Sequence, residues 1–143
     1  MKMKFFQFFI LLISTPINGK AYSDIVVVVN AKANIDSMDK EQIRAIYLGK
    51  NRTVIPSMND SDELSEEFLH AVVDKNSRQF DSYWNVRQFT GGGSKPSVLT
   101  DDEAVKNWLA SKPEGIGFID SKTLGKDTRI KKVFLIPTKG PGY

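Results

Sequence analysis

Between residues 24 and 30 the chain reads Asp24-Ile25-Val26-Val27-Val28-Val29-Asn30. No polar residue interrupts the apolar positions, so the run predicts a strand buried on both faces rather than a half-exposed one. A polar loop follows to Asp36, and then the period changes. Ile43, Ile46 and Tyr47 recur at i, i+3 and i+4. They predict a helix capped by Ser37, with Asp39 and Glu41 in its first turn and Gly49 at its end. Thr53-Val54-Ile55-Pro56 predicts a short strand that stops at the proline. Residues 59–62 read as a turn or cap, and Leu64, Phe68, Ala71 and Val72 behind them predict a second amphipathic helix. Phe80, Tyr83, Trp84 and Arg87 share one face of a third, with Ser77 as its cap. Residues 89–96 form a glycine-rich loop. Thr100 and Glu103 have capping-box spacing for a fourth helix, lined by Ala104, Val105, Trp108 and Leu109 and ended by Pro113 and Gly115. Residues 117–119 and 130–136 predict two more strands. Strands alternate with helices, which defines an α/β class with a central, largely parallel or mixed sheet flanked by helices.

The N-terminus follows a different pattern. Met1-Lys2-Met3-Lys4 precedes an apolar run from Phe5 to Ile13, too short to span a bilayer at about 20 residues. Basic start, apolar middle and small-residue positions at Gly19, Ala21 and Ser23 together predict a secretory leader over residues 1–23, cleaved after Ala21 or Ser23. One domain over residues 24–137 and a flexible tail over 138–143 complete the expected organisation. The whole chain of 143 residues carries 20 Lys+Arg against 17 Asp+Glu. Cleavage would remove Lys2, Lys4 and Lys20 and no acid, leaving 17 of each sign. The expected product is periplasmic or secreted, near neutral, with no stable membrane insertion and without the basic face that nucleic-acid binding requires.

Composition narrows the chemistry further. Cys is absent, which excludes thiol catalysis, disulfides and Cys-ligated metals. His70 is the sole imidazole and falls off the apolar face of its helix, so no histidine metal site is expected and no cofactor is implied. The glycine loop is neither a P-loop nor a dinucleotide fingerprint, and no serine occupies a G-x-S-x-G elbow. No nucleophile–base pair is legible, which argues against an enzyme. The acids at Asp60, Asp62, Glu63, Glu66 and Glu67 lack calcium-loop spacing and suit a helix N-terminus. Two features can meet an anion: successive glycine amides at Gly91, Gly92 and Gly93, and the helix N-termini near Asn30, residues 59–61 and Thr100.

Three segments together resemble the phosphate-type periplasmic solute-binding proteins of ABC transporters. They are the strand at residues 25–30 followed by Met38-Asp39-Lys40-Glu41-Gln42-Ile43-Arg44-Ala45-Ile46-Tyr47-Leu48-Gly49-Lys50, the stretch from Tyr83-Trp84 to Phe89-Thr90-Gly91, and Pro113-Glu114-Gly115-Ile116-Gly117-Phe118-Ile119. Order and spacing match over nearly the whole segment after the leader. The resemblance implies a single lobe of the type 2 periplasmic-binding-protein fold and non-covalent binding of phosphate or a related oxyanion. By this likeness and the anion features above, the candidate ligand donors are Asn59, Ser61, Arg87, Thr90, Gly91, Gly92 and Gly93. Candidate partners are an ABC permease, another envelope protein, or a second copy of the chain. The sequence departs from the family where its lobe carries R-x-D-G-S-G-T. Met58 falls at the Arg position, Asp60 at the Asp position, Ser61 at the first glycine, and Asp62, Glu63 and Leu64 at Ser-Gly-Thr. That acidic, Arg-free loop implies an alternative: a periplasmic interaction or sensor-adaptor module that has lost phosphate binding.

Overall fold

The structure, a computed structural model, describes residues 23–138; most of the expected leader and the end of the expected tail lie outside the described residues. Strand β1 (Ile25–Asn30) is buried along its entire length. Ile25, Val27 and Val29 face one hydrophobic cluster, while Val26 and Val28 face another. This is why the run contains no polar position: helices cover both faces of the sheet. The five strands are ordered β3-β2-β4-β1-β5, with β2 (Ile55–Asn59), β3 (Ser97–Leu99), β4 (Gly115–Asp120) and β5 (Ile130–Ile136). β2 is parallel to β3 and β4, and β1 is antiparallel to β4 and β5. The sheet is therefore mixed, with β1 the reversed strand. The β1–β5 register slips between Val27 and Val28, which bulges Val133 into the core.

Helix α1 (Lys40–Tyr47), helix α2 (Asp62–Phe68), the π-helical turn Leu69–Val73 that extends it, and helix α3 (Ser77–Phe89) cover one face. Helix α4 (Asp102–Ala110) and the short helix α5 (Ser121–Leu124) cover the other. On the first face the Phe68 and Phe118 rings stack at 3.9 Å, and Tyr47 meets Phe68 edge-on at 4.7 Å. The Tyr47 hydroxyl donates to Ser57 O at 2.9 Å, and its burial pushes the phenol pKa far up. On the second face α4 lies so close to the sheet that β4 needs a glycine. A Cβ on Gly117 would stand 2.7 Å from Val105 Cγ1 and 2.9 Å from Ser57 Oγ.

Several boundaries differ from the sequence expectation, each for a local reason. Asp39, not Ser37, caps α1, because Gln42 three residues on completes a capping box that Ser37 lacks. Asn76 displaces Ser77 as the cap of α3 through the same pairing with Gln79. Asp101 caps α4 in place of Thr100, its carboxylate accepting Ala104 N at 2.8 Å. β2 does not end at Pro56 but runs through it. Ile55 N donates to Glu114 O on the β4 side, so alternation turns the position of Pro56's missing N–H toward β3, which begins pairing only at Ser57. The second helix keeps its predicted span but gains the π turn, which brings Leu69, Val72 and Val73 into the core and leaves Ala71 only half-buried. β3 and α5 were not legible as elements. Thr138 is not loose: its N–H donates to Asp24 Oδ1 at 3.2 Å and its hydroxyl to Ser23 O at 2.9 Å.

Candidate functional site

β2 and β3 are parallel neighbours whose following helices go to opposite faces, α2 to one and α4 to the other. Such a divergence opens a crevice at the carboxyl ends of the two strands, where open α/β sheets hold ligands. Here the crevice is a cleft of about 410 Å³ lined by Asn59, Asp60, Ser61, Thr100, Asp102 and Thr123 among others. The N-termini of α2 and α4 both open on it.

Asn59, Asp102 and Thr123 are already paired with one another. Asp102 stands at the first position of α4, and its carboxylate collects three donors. Asn59 Nδ2 donates to Oδ1 at 2.6 Å, while Thr123 Oγ1 at 2.6 Å and Asp120 N at 3.1 Å donate to Oδ2. The other end of the Asn59 amide accepts Ser61 N at 3.1 Å. The Ser61 hydroxyl caps α2 by accepting Leu64 N at 3.4 Å. Two side chains and a backbone N–H converging on one carboxylate are the donor set an external oxyanion would require. An anion from this chain already holds them. Exposed acids surround the cleft at Asp60, Asp101 and Glu103. The Glu67 carboxyl further along α2 is pushed up by its partial burial and then by the Glu63 charge.

The remaining candidates lie at the other end of β2. Arg87 is at the end of α3, where Nε donates to Gly92 O at 3.0 Å and Nη2 to Gly49 O at 2.8 Å. The guanidinium also sits 5.9 Å from the Tyr83 ring centroid. Gly91 N donates to Gln88 O at 3.3 Å and Gly92 N to Arg87 O at 2.7 Å. The Thr90 hydroxyl turns back to Val86 O and Arg87 O. Gly93, with φ +102°, is next to Arg52 and lines a small cleft of about 120 Å³ with Ile46, Gly49, Arg52, Trp84 and Gly92. Arg87 thus fastens the glycine loop to the end of α1. This cleft also includes Ile55, the first residue of β2, whereas Asn59 is the last. Four strand steps, roughly 13 Å, separate them. The structure brings Asn59 and Ser61 together and holds Arg87, Thr90, Gly91, Gly92 and Gly93 elsewhere.

Asp102 and Thr123 were missed as site residues. Asp102 carries the ordinary signature of an acid in a first helical turn, and Thr123 lies in a helix of one turn with no periodicity to reveal it. Among the described residues no group of three or more His, Asp or Glu side chains could hold a metal, and no helix is long and apolar enough to cross a membrane.

No protein-family model matches the chain and no curated protein matches its sequence. Solved structures do match its fold. One is described as a phosphate ABC transporter substrate-binding protein with bound phosphate from Clostridium perfringens, at TM-score 0.60 and 12% identity over 78% of this chain and 45% of that one. An ABC-type phosphate transport receptor from Vibrio cholerae matches at TM-score 0.58 and 14% identity, over 78% and 46%. PstS from Borrelia burgdorferi matches at TM-score 0.57 and 10% identity, over 78% and 47%. The five-stranded mixed sheet flanked by helices is thus a periplasmic-binding-protein-like fold, and its structural neighbours are phosphate-receptor proteins of ABC transporters. This chain spans just under half their length.

Proposed function

We propose that this chain is an exported, non-enzymatic docking module, built on one lobe of the phosphate-receptor fold, that engages an envelope protein rather than enclosing phosphate. The observation that supports this most is the Asp102 carboxylate in the cleft, held by Asn59, Thr123 and Asp120 N. A phosphate seeking those donors would meet Asp102 and the acids around it. A like-charge pair at 4 Å costs about 4 kcal/mol at an effective dielectric constant of 20. Within this reading Asn59 and Ser61 belong to the cleft, and Arg87, Thr90, Gly91, Gly92 and Gly93 shape the opposite end of the lobe.

The second reading is non-covalent phosphate binding, with an ABC permease as partner. It is favoured by the bound phosphate in the Clostridium perfringens structure and by two helix N-termini facing the cleft. It requires Asp102 to release its donors. Thermal unfolding with 10 mM phosphate, sulfate or a neutral solute separates the two. A ligand at 100 times its dissociation constant stabilises by about 2.7 kcal/mol, which is several degrees for a domain of this size. The docking reading expects no anion-specific shift. A rise with phosphate alone overturns it.

A further inference from the structure

Among the described residues β3 lies at the edge of the sheet and pairs only with β2. Leu99 O accepts Asp60 N at 2.8 Å, so Leu99 faces β2 and alternation turns the Val98 N–H and C=O outward. No described residue pairs with them. The Val98 side chain is itself 54% exposed, an apolar residue on an open edge. Alongside runs a groove of about 210 Å³ whose apolar lining is Met58, Leu69, Phe80 and Val98. Its charged lining is Asp60, Asp62, Asp81 and Lys95. Lys95 is ion-paired with Asp81. The carboxylates of Asp60 and Asp62 have no hydrogen bond or ion pair among the described residues. The groove is therefore net negative over an apolar floor, next to unpaired main-chain groups.

We infer that this edge takes a short, extended, basic polypeptide segment by strand addition. The segment's backbone would pair with Val98, an apolar side chain would enter over Met58 and Phe80, and a flanking Lys or Arg would meet Asp60 and Asp62. The inference rests on the docking reading above and names the chemistry of its partner. Main-chain pairing supplies affinity in such complexes, and alternate side chains supply specificity. Charge selects against acidic segments and against nucleic acid. β3 is three residues long and follows Pro96, both of which limit indiscriminate edge pairing. The contact is accordingly small and weak, fit for a reversible partner.

The test is an NMR titration of the ¹⁵N-labelled exported chain with an N-acetylated, C-amidated hexapeptide alternating lysine and valine. A glutamate–valine hexapeptide is the control, and inorganic phosphate is titrated in parallel. The expected result is saturable shifts at residues 97–99 and 58–62 with the basic peptide alone, weakened by added salt. Asp60→Asn with Asp62→Asn should weaken binding roughly two- to tenfold, and Val98→Lys should abolish it with the fold intact. No saturable shift at these residues, equal shifts with the acidic peptide, or full binding by the Val98→Lys variant overturns the inference. So do concentration-dependent shifts pairing β3 with β5 of a second copy, since the occupant would then be this chain itself. If peptide and phosphate are both inert, this groove is excluded while the docking reading stands. Phosphate shifts at Asn59, Ser61 and Thr123 instead bring down that reading.

Discussion

The Asp102 carboxylate can be removed and its place in the fold measured. In Asp102→Ala, Asn59 Nδ2 loses its acceptor, and Asn59 is 4% exposed. A buried donor left unpaired costs about 1–3 kcal/mol. Thr123 loses less, because its hydroxyl already lies 2.9 Å from Asp120 O and can donate there. Asp120 N can turn to water through the cleft. The first turn of α4 also loses a negative charge worth about 0.3–1 kcal/mol against the helix dipole. The sum is a destabilisation of about 1–4 kcal/mol, on the order of 10 °C in Tm for a domain of this size. Thermal and urea unfolding of both proteins measure it. Formate offers a second reading: a small monoanion can re-enter the vacated donor set, so sodium formate should restore part of the lost Tm where equal sodium chloride does not. Asp102→Asn keeps an acceptor for Asn59 but turns an amide toward Asp120 N or Thr123, so its loss should fall between. A drop in Asp102→Ala below about 0.5 kcal/mol, the range of ordinary surface substitutions, would refute the reasoning, because the donors would then have other partners.

Arg87→Ala should cost about 1–2 kcal/mol through the lost hydrogen bonds to Gly92 O and Gly49 O. It should speed amide exchange across residues 91–94 and leave the response to anions unchanged; an altered phosphate response would move Arg87 into a binding role. Gly117→Ala forces a methyl to 2.7 Å from Val105 Cγ1, and the overpacking should cost about 1–3 kcal/mol by urea unfolding. Asp127 is held at about 2, below its usual 3.8, first by the side-chain hydrogen bond from Arg129 and then by the backbone one. A depressed acid contributes stability that is present above pH 3.8 and lost as the pH falls toward 2, so Arg129→Ala should flatten the acid limb of Tm against pH in that window. Ser23 bonds to Asp120 through its hydroxyl and accepts Thr138 Oγ1, so we propose that the expected leader is cleaved after Ala21, which keeps these contacts, rather than after Ser23. Mass spectrometry of the exported protein should find Tyr22 at its N-terminus; Asp24 there would contradict this.

The parts of the fold legible in sequence were those where burial imposes a pattern. The Ile43/Ile46/Tyr47 stripe and the Phe80/Trp84 face each answer to one packed surface, and the uninterrupted β1 run answers to two, one on each face of the sheet. What stayed hidden depended on partners distant in the chain. β3 is only Ser97-Val98-Leu99, and its pairing with Ser57, Met58 and Asn59 makes it a strand. The caps of α1 and α3 moved by one or two residues because a Gln three positions on decides between neighbouring candidates. The cleft was half legible: Asn59 and Ser61 could be named from the loop after β2, but the residue that completes the pairing is Asp102, 43 positions away. No local spacing connects them.

The cleft and the groove share Asn59 and Asp60, and their chemistries are consistent. At the carboxyl end of the sheet an aspartate has taken the donors, and more acids stand at the rim. Acids placed there raise the cost of bringing a further anion close. The same negative potential extends along β3, where the backbone has unpaired groups and the lining is apolar. On the docking reading proposed above, a lobe that satisfies its strand-end donors from within and leaves an acidic sheet edge open would meet a cationic chain rather than close over an anion. The two properties need not have arisen together, but Asp60 belongs to both surfaces. A charge change at that one position therefore acts on the groove and on the field at the cleft at once.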